Sequence, residues 1–395
     1  MDRRKFIKNS ALASSLFFVP NFVKAFESVT AKQLGNKRLV IVQLAGGNDG
    51  LNTIIPHNND LYYNARPQLA ITKGIIKLND DLGFHPSLSP LRSLFDNGEL
   101  SIINNVGYPN PVRSHFRSMD IWQTASSSNE YLQSGWLGRY LDQHGKKPYN
   151  ALEMDEQLSL AMKGEHFNGI ATNDYKVLYN TAKDPYFKKV LNHYNDAHLS
   201  EHNLGYLYQT MIEAESSASY IFENTNVKSS QESYPQNGFA KQLKSVAQFI
   251  NSGLDTKVFY TSLGGFDTHA SQNNKQTKLL SQYAESVSAF VKDLKRNNTF
   301  EDTLILTFSE FGRRVKQNAA NGTDHGAANN VFVIGKNLKK AGFYNDLASL
   351  SDLDGNGDLK YNVDFRSVYA TILSNWLNVS AKGIIPSKQK ALNFI

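Results

Sequence analysis

The chain has 395 residues, 41% hydrophobic and 20% charged, with a formal net charge of +6. That length and apolar content sustain a large buried core, as one big domain or one domain with an insertion. With no cysteine present, thiolate metal sites, thiol nucleophiles and disulfides are excluded.

The first predicted segment lies outside the fold. Asp2-Arg3-Arg4-Lys5-Phe6-Ile7-Lys8 pairs two arginines with an apolar residue and a lysine, Ala11 to Val19 is modestly apolar, and Val23-Lys24-Ala25 offers small residues for cleavage. Residues 1–25 thus resemble a twin-arginine export signal, which implies the twin-arginine machinery as a partner and a periplasmic or extracellular mature chain, 26–395. Pro20 and Asn21 cut the apolar run well short of a stable membrane span. Removing the signal lowers the charge of +6 by four, to +2, and no dense basic patch with interleaved aromatics points to nucleic acid.

Leu39 to Leu44 is a β-branched run suited to a strand buried on both faces. It stops at Ala45-Gly46-Gly47-Asn48-Asp49-Gly50, which sets an amide and a carboxylate just past the strand's carboxyl end, where open α/β sheets hold ligands. The same glycine-rich turn is also consistent with Asn48 and Asp49 serving only local backbone groups. A short helix is expected within Asn52 to Thr72, a helix from Pro86 to Phe95 closed by Asn97-Gly98, and a strand from Leu100 to Val106. The prolines of Gly107-Tyr108-Pro109-Asn110-Pro111 then delay the next helix to about Ser114. Ser114 has two readings: a helix cap accepting from an unpaired amide, or a hydroxyl nucleophile at a helix start that attracts an anionic ester.

Trp136 to His144 reads as a helix, and the region from about 188 to 252 as a helical insertion or cap over the sheet. Within it His198-Leu199-Ser200-Glu201-His202 fits the inverted zinc-peptidase pattern H-x-x-E-H, although the spacing defines no third ligand beyond Glu213 or Glu215. Lys257 to Leu263 is a strand ending in Gly264-Gly265-Phe266-Asp267-Thr268-His269. A long amphipathic helix, Asn274 to Arg296, leads to the strand Thr303 to Phe308. Ser309-Glu310-Phe311-Gly312-Arg313-Arg314, a loop through Asp324-His325-Gly326 and a strand Val331 to Ile334 follow. Right-handed crossovers make this a parallel sheet, gathering Asp49, Asp267, His269, Glu310, Asp324 and His325 at one edge. Asp352 to Asp358 imitates the start of an EF-hand, but the twelfth position is Val363, so a polar turn before a closing helix, Phe365 to Leu377, is expected.

The ordered blocks G-G-N-D-G-L-N, G-Y-P-N-P-V-R-S-H-F-R-S-M-D-I-W, G-G-F-D-T-H, T-F-S-E-F-G-R-R, G-T-D-H-G-A-A-N and D-F-R-S-V-Y-A-T-I-L resemble the bacterial family called domain of unknown function 1501. That family is placed with the alkaline phosphatase and sulfatase superfamily, which implies an α/β/α sandwich around a mostly parallel sheet. Carried over position by position, the resemblance implies Asp49 as a first-strand metal ligand, Ser114 as nucleophile, Asp267 and His269 as a metal-binding pair, and His325 as the histidine completing that site. At Leu306 to Gly312 the chain departs from the superfamily's T-A-D-H-G: Glu310 can replace the aspartate, and Phe311 cannot replace the histidine.

One carboxylate and two imidazoles at Asp267, His269 and His325 suit zinc or manganese with an open position. The oxygen set of Asp49 and Glu310 suits calcium or magnesium, so one or two divalent ions are expected. Arg113 and Arg313 are the candidate anion-binding residues, with Arg117 and Arg314 alongside them. The expected activity is hydrolysis of a phosphate or sulfate ester. The alternative is a non-catalytic cell-envelope binding protein that retains the fold and a structural metal.

Overall fold

The computed structural model of the chain describes residues 36–192, 203–225 and 230–395. The export-like segment 1–25 and the H-x-x-E-H run at 198–202 lie outside the described residues. The strands in chain order are β1 (Arg38–Ala45), β2 (Ile54–Pro56), β3 (Ile76–Lys77), β4 (Leu82–Phe84), β5 (Leu100–Gly107), β6 (Ala151–Glu153), β7 (Ile170–Ala171), β8 (Val258–Gly264), β9 (Thr303–Phe308), β10 (Asn329–Ile334), β11 (Gly342–Phe343) and β12 (Val363–Asp364).

Leu39, Val40, Ile41 and Val42 are all fully buried, because β1 lies inside a nine-stranded sheet ordered β11-β5-β10-β9-β1-β8-β6-β7, with β12 also beside β5. Alternate β1 side chains feed two separate cores, as the two-residue period of a strand requires. Val40, Val42 and Leu44 pack with Leu243 and Val246 of the helix Gly238–Asn251 and with Leu280, Val287 and Phe290 of the helix Gln272–Arg296. Leu39 and Ile41 pack with Trp122 of the helix His115–Thr124, Leu137 and Tyr140 of Trp136–His144, and Tyr369 of Phe365–Thr371. Helices therefore cover both faces, as expected of an α/β/α sandwich, and the helix Gly238–Asn251 belongs to the sandwich rather than to a separate cap.

Every paired neighbour in the main sheet runs parallel except β10, which is antiparallel to both β9 and β5. The parallel course expected for Val331 to Ile334 is thus corrected. No helix intervenes between β9 and β10 to carry the chain back across the sheet, so the connection returns directly. Two helices also differ from expectation. Pro90 removes a donor, so Pro86–Leu91 winds as a 3-10 helix before the α-turns of Arg92–Asp96, and the closing helix loosens to a π-turn at Ile372–Trp376. Among the described residues no helix is long and apolar enough to cross a membrane.

Candidate metal centre

The carboxyl ends of β1, β8 and β9 and the amino end of the antiparallel β10 share one edge of the sheet. The loops leaving that edge are locked together by their backbones. Gly46 has φ +116°, and a Cβ there would lie 2.4 Å from the Asp267 nitrogen, so only glycine lets the loop after β1 touch the loop after β8. The β9–β10 connection folds into two arms: the Gly326 N–H donates to Gly312 O at 2.8 Å and the Arg314 N–H to Asp324 O at 3.0 Å. Its tip closes over the loop after β8, where Ser271 N–H donates to Ala320 O at 3.1 Å and Asn318 Nδ2 to His269 O at 3.0 Å. The helix His115–Thr124 reaches the same edge because Trp122 stacks between Phe308, at the end of β9, and Phe365, with ring centroids 4.7 and 4.3 Å away. Each such stack adds about 1 kcal/mol beyond area burial.

Three imidazoles converge on one carboxylate oxygen. Asp267 Oδ1 lies 3.0 Å from His269 Nε2, 3.3 Å from His325 Nε2 and 3.4 Å from His115 Nε2. The opposite nitrogen of each ring has its own acceptor: His115 Nδ1 meets Glu310 Oε1 at 2.9 Å, His325 Nδ1 the Arg113 carbonyl at 2.7 Å and His269 Nδ1 Asp324 Oδ1 at 3.3 Å. A neutral ring that donates from Nδ1 to its oxygen keeps a lone pair on Nε2 for an ion, and one protonated at Nε2 donates to Asp267 instead. Ligand atoms bonded at 2.0–2.1 Å to a tetrahedral ion stand about 3.3–3.4 Å apart, close to these spacings. His269 Nε2 and His325 Nε2 also approach to 2.8 Å, a pairing that either a proton on one ring or a shared cation satisfies. His115 Nε2 is buried without a hydrogen-bond partner, and His115, Asp267 and His325 offer ligand atoms within 4.8 Å of one another. An oxygen and imidazole nitrogens in this disposition fit a divalent transition metal, with their Nδ1 partners as its outer support.

Charge in the cluster is arranged around Asp267. Burial alone would raise its carboxyl, but hydrogen bonds from Arg313 and His325 and the nearby positive charge of Arg313 outweigh this and hold it far below the usual carboxylate range. The His115 imidazole is pushed up, first by its hydrogen bond to Glu310. Burial pushes His325 down, against the pull of the Arg113 carbonyl and Asp267. The Asp267 and His269 side chains remain 49% and 45% exposed, so one side of the cluster is open to an incoming molecule.

The other expected site residues go elsewhere. Asp49 is fully buried, and its Oδ2 accepts from Arg66 Nη1 at 2.6 Å and from Gln272 Nε2. Glu310 is also buried and turns Oε1 to the Gly46 N–H at 2.8 Å as well as to His115, so it holds that imidazole from behind. Arg313 gives its N–H groups to the carbonyls of Gly46, Gly47, Phe266 and Thr323 and to Asp267, where it clamps the loops and aims the carboxylate instead of facing a substrate. Arg113 is held by Asp354 and Asp358. The EF-hand-like run is therefore a turn that grips an arginine. Ser114 precedes the first residue of the helix His115–Thr124 in extended conformation, yet its exposed hydroxyl makes no capping hydrogen bond, which removes the simple cap reading. His115 and Arg66 were not anticipated.

The solved structures similar to this chain include a lipoteichoic acid synthase, LtaP, from Listeria monocytogenes, with TM-score 0.43, 10% identity and coverage of 98% of this chain and 81% of that one. They also include the C-terminal periplasmic domain of EcEptC from Escherichia coli, with TM-score 0.41, 12% identity and coverage of 92% and 89%. A third is a protein in the alkaline phosphatase superfamily from Vibrio parahaemolyticus, with TM-score 0.40, 12% identity and coverage of 98% and 78%. No curated protein is significantly similar in sequence. The family model described as Protein of unknown function (DUF1501) matches residues 36–383, and the chain belongs to that family.

Proposed function

We propose that this DUF1501 protein is an exported, metal-dependent hydrolase of phosphate or sulfate esters, with its ion held by His115, Asp267, His269 and His325. The observation that carries the reading is the convergence of three Nε2 atoms on Asp267 Oδ1, each ring held from behind through Nδ1. A bound zinc or manganese ion would supply Lewis-acid polarisation of the ester oxygen and lower the pKa of a hydroxyl beside it. The chain's own residues then have distinct tasks. The unpaired amides of the first turn of His115–Thr124, which carries no acidic residue there, favour the anionic ester. Ser114 presents an uncommitted hydroxyl at that turn, next in sequence to a ligand, as the nucleophile. Arg313 and Glu310 fix Asp267 and His115 in place, so no reorganisation is needed when the ester arrives.

The second reading is a non-catalytic cell-envelope binding protein with one structural ion. It is favoured by Phe311, whose buried ring packs against His115 and His325 with centroids 4.8 and 4.7 Å away, in place of a further ligand. Elemental analysis of the purified mature protein, joined to turnover of aryl phosphate and aryl sulfate by wild type, Ser114→Ala and His115→Ala, separates the two. The hydrolase reading expects bound metal, turnover by wild type, and loss of at least a hundredfold in both variants. Metal without turnover leaves the binding protein, and Ser114→Ala turnover equal to wild type removes the serine mechanism.

A further inference from the structure

We infer that the centre holds a single ion and that Arg66 supplies, from within the chain, the positive charge a second ion would bring to Asp49. The inference rests on the metal-centre reading above and narrows it. The oxygen-rich position expected around Asp49 and Glu310 does not fit a second cation in this structure. Asp49 and Arg66 both have fully buried side chains, paired at 2.6 Å, and Gln272 takes the same carboxylate oxygen. Arg66 cannot swing aside, because its guanidinium also donates to Asn52 Oδ1 at 2.8 Å, Val315 O at 2.8 Å and Arg314 O at 2.9 Å. Of the carboxylate oxygens of Asp49 and Glu310 only Asp49 Oδ1 is left without a partner, and one such oxygen is far short of the six or more that calcium or magnesium collects. Glu310 has already spent Oε1 on the Gly46 N–H and His115, while Oε2 accepts from the Ser309 hydroxyl at 3.3 Å.

Charge and shape agree. A carboxylate that is fully buried needs a counter-charge, and a guanidinium with fixed hydrogen bonds is one that neither dissociates nor depends on ion supply. A divalent cation drawn to Asp49 would meet that fixed positive charge at close range. Phe311 adds an apolar wall: its ring lies on His115 and His325 and so close to Gly47 that a Cβ there would fall 2.3 Å from Cε2. The consequence is a mononuclear centre, in which any activation of Ser114 comes from the one ion beside His115.

The test titrates metal-stripped mature protein with zinc, manganese, calcium and magnesium in turn, reading stoichiometry by calorimetry and elemental analysis. One ion per chain, zinc or manganese, with no further ion from millimolar calcium or magnesium, is the expected result. Two specifically bound ions overturn the inference and leave the hydrolase reading standing, whereas no bound ion overturns both. In Arg66→Met the fixed charge is gone, so millimolar calcium or magnesium should raise Tm by several degrees and add a second ion, with neither effect in wild type. A folded Arg66→Met protein indifferent to these cations overturns the claim that Arg66 stands in for one. Should that variant fail to fold, the wild-type stoichiometry alone decides.

Discussion

Replacing Glu310 by glutamine isolates the support behind one ligand without touching the ligand itself. The side chain is 1% exposed and accepts at Oε1 from the Gly46 N–H at 2.8 Å and from His115 Nδ1 at 2.9 Å. Glutamine keeps the shape and one oxygen for the Oε1 position, but it loses the charge that makes that oxygen a strong acceptor and puts an amide NH2 where Oε2 accepts from the Ser309 hydroxyl. A hydrogen bond to a buried charged group is worth about 1.5–3 kcal/mol. Loss of an outer partner of a metal-bound histidine costs about 10–100-fold in affinity, or about 1.4–2.7 kcal/mol, so the two routes to a magnitude agree. Zinc affinity should therefore fall 10–100-fold in Glu310→Gln, measured by competition with a chromophoric chelator, while the circular dichroism stays native. An unchanged affinity in a folded variant would refute the claim that Glu310 holds His115 for the ion.

Two further outcomes concern stability. Gly46→Ala puts a methyl group 2.4 Å from the Asp267 nitrogen at φ +116°, so it should cost about 2 kcal/mol in chemical unfolding and weaken metal binding as the two loops part; a neutral effect would show that the loops are not closely packed. Burial pushes the Glu153 carboxyl up to about 8, although the Ser159 amide donates to it at 2.7 Å. The folded state thus holds that proton more tightly than the unfolded chain, with its ordinary value of 4.5. The contribution is complete below about pH 4.5 and is lost as pH rises through about 8, on the order of 5 kcal/mol. Glu153→Gln should flatten this part of the stability profile, read as ΔG of unfolding between pH 5 and 9, and an identical slope in the variant would dismiss Glu153 as its source.

The sheet was legible because its strands are uninterrupted apolar runs: Leu39 to Leu44 and Thr303 to Phe308 can be buried on both faces only inside a parallel-type sheet. Strand direction was less legible. The tendency to parallel crossovers applies where a helix carries the return, and none lies between Phe308 and Asn329. For the site, loops at strand ends drew attention to Asp267, His269 and His325, which the structure brings within 3.3 Å of one another. His115 stands in the same kind of place, after β5 and at the start of a helix, so its signal was present and was overshadowed by the neighbouring hydroxyl of Ser114. Asp49 shows the limit of this reasoning. Position past a strand end does not reveal which way a carboxylate turns, and its partner Arg66 lies beyond a 3-10 turn, β2 and a short helix, with no periodicity linking the two.

The direction of β10 has a structural consequence for the rim. Because β9 arrives at the ligand edge and β10 departs from it, residues 309–328 begin and finish at the same place, pinned where Gly326 meets Gly312. Residues added near the tip, around 316–321, would extend outward beside the cluster while both strands kept their register. The excursion can be recut in length and chemistry without rebuilding the sheet, which would reshape the open side of the cluster while His115, Asp267 and His269 stay in place.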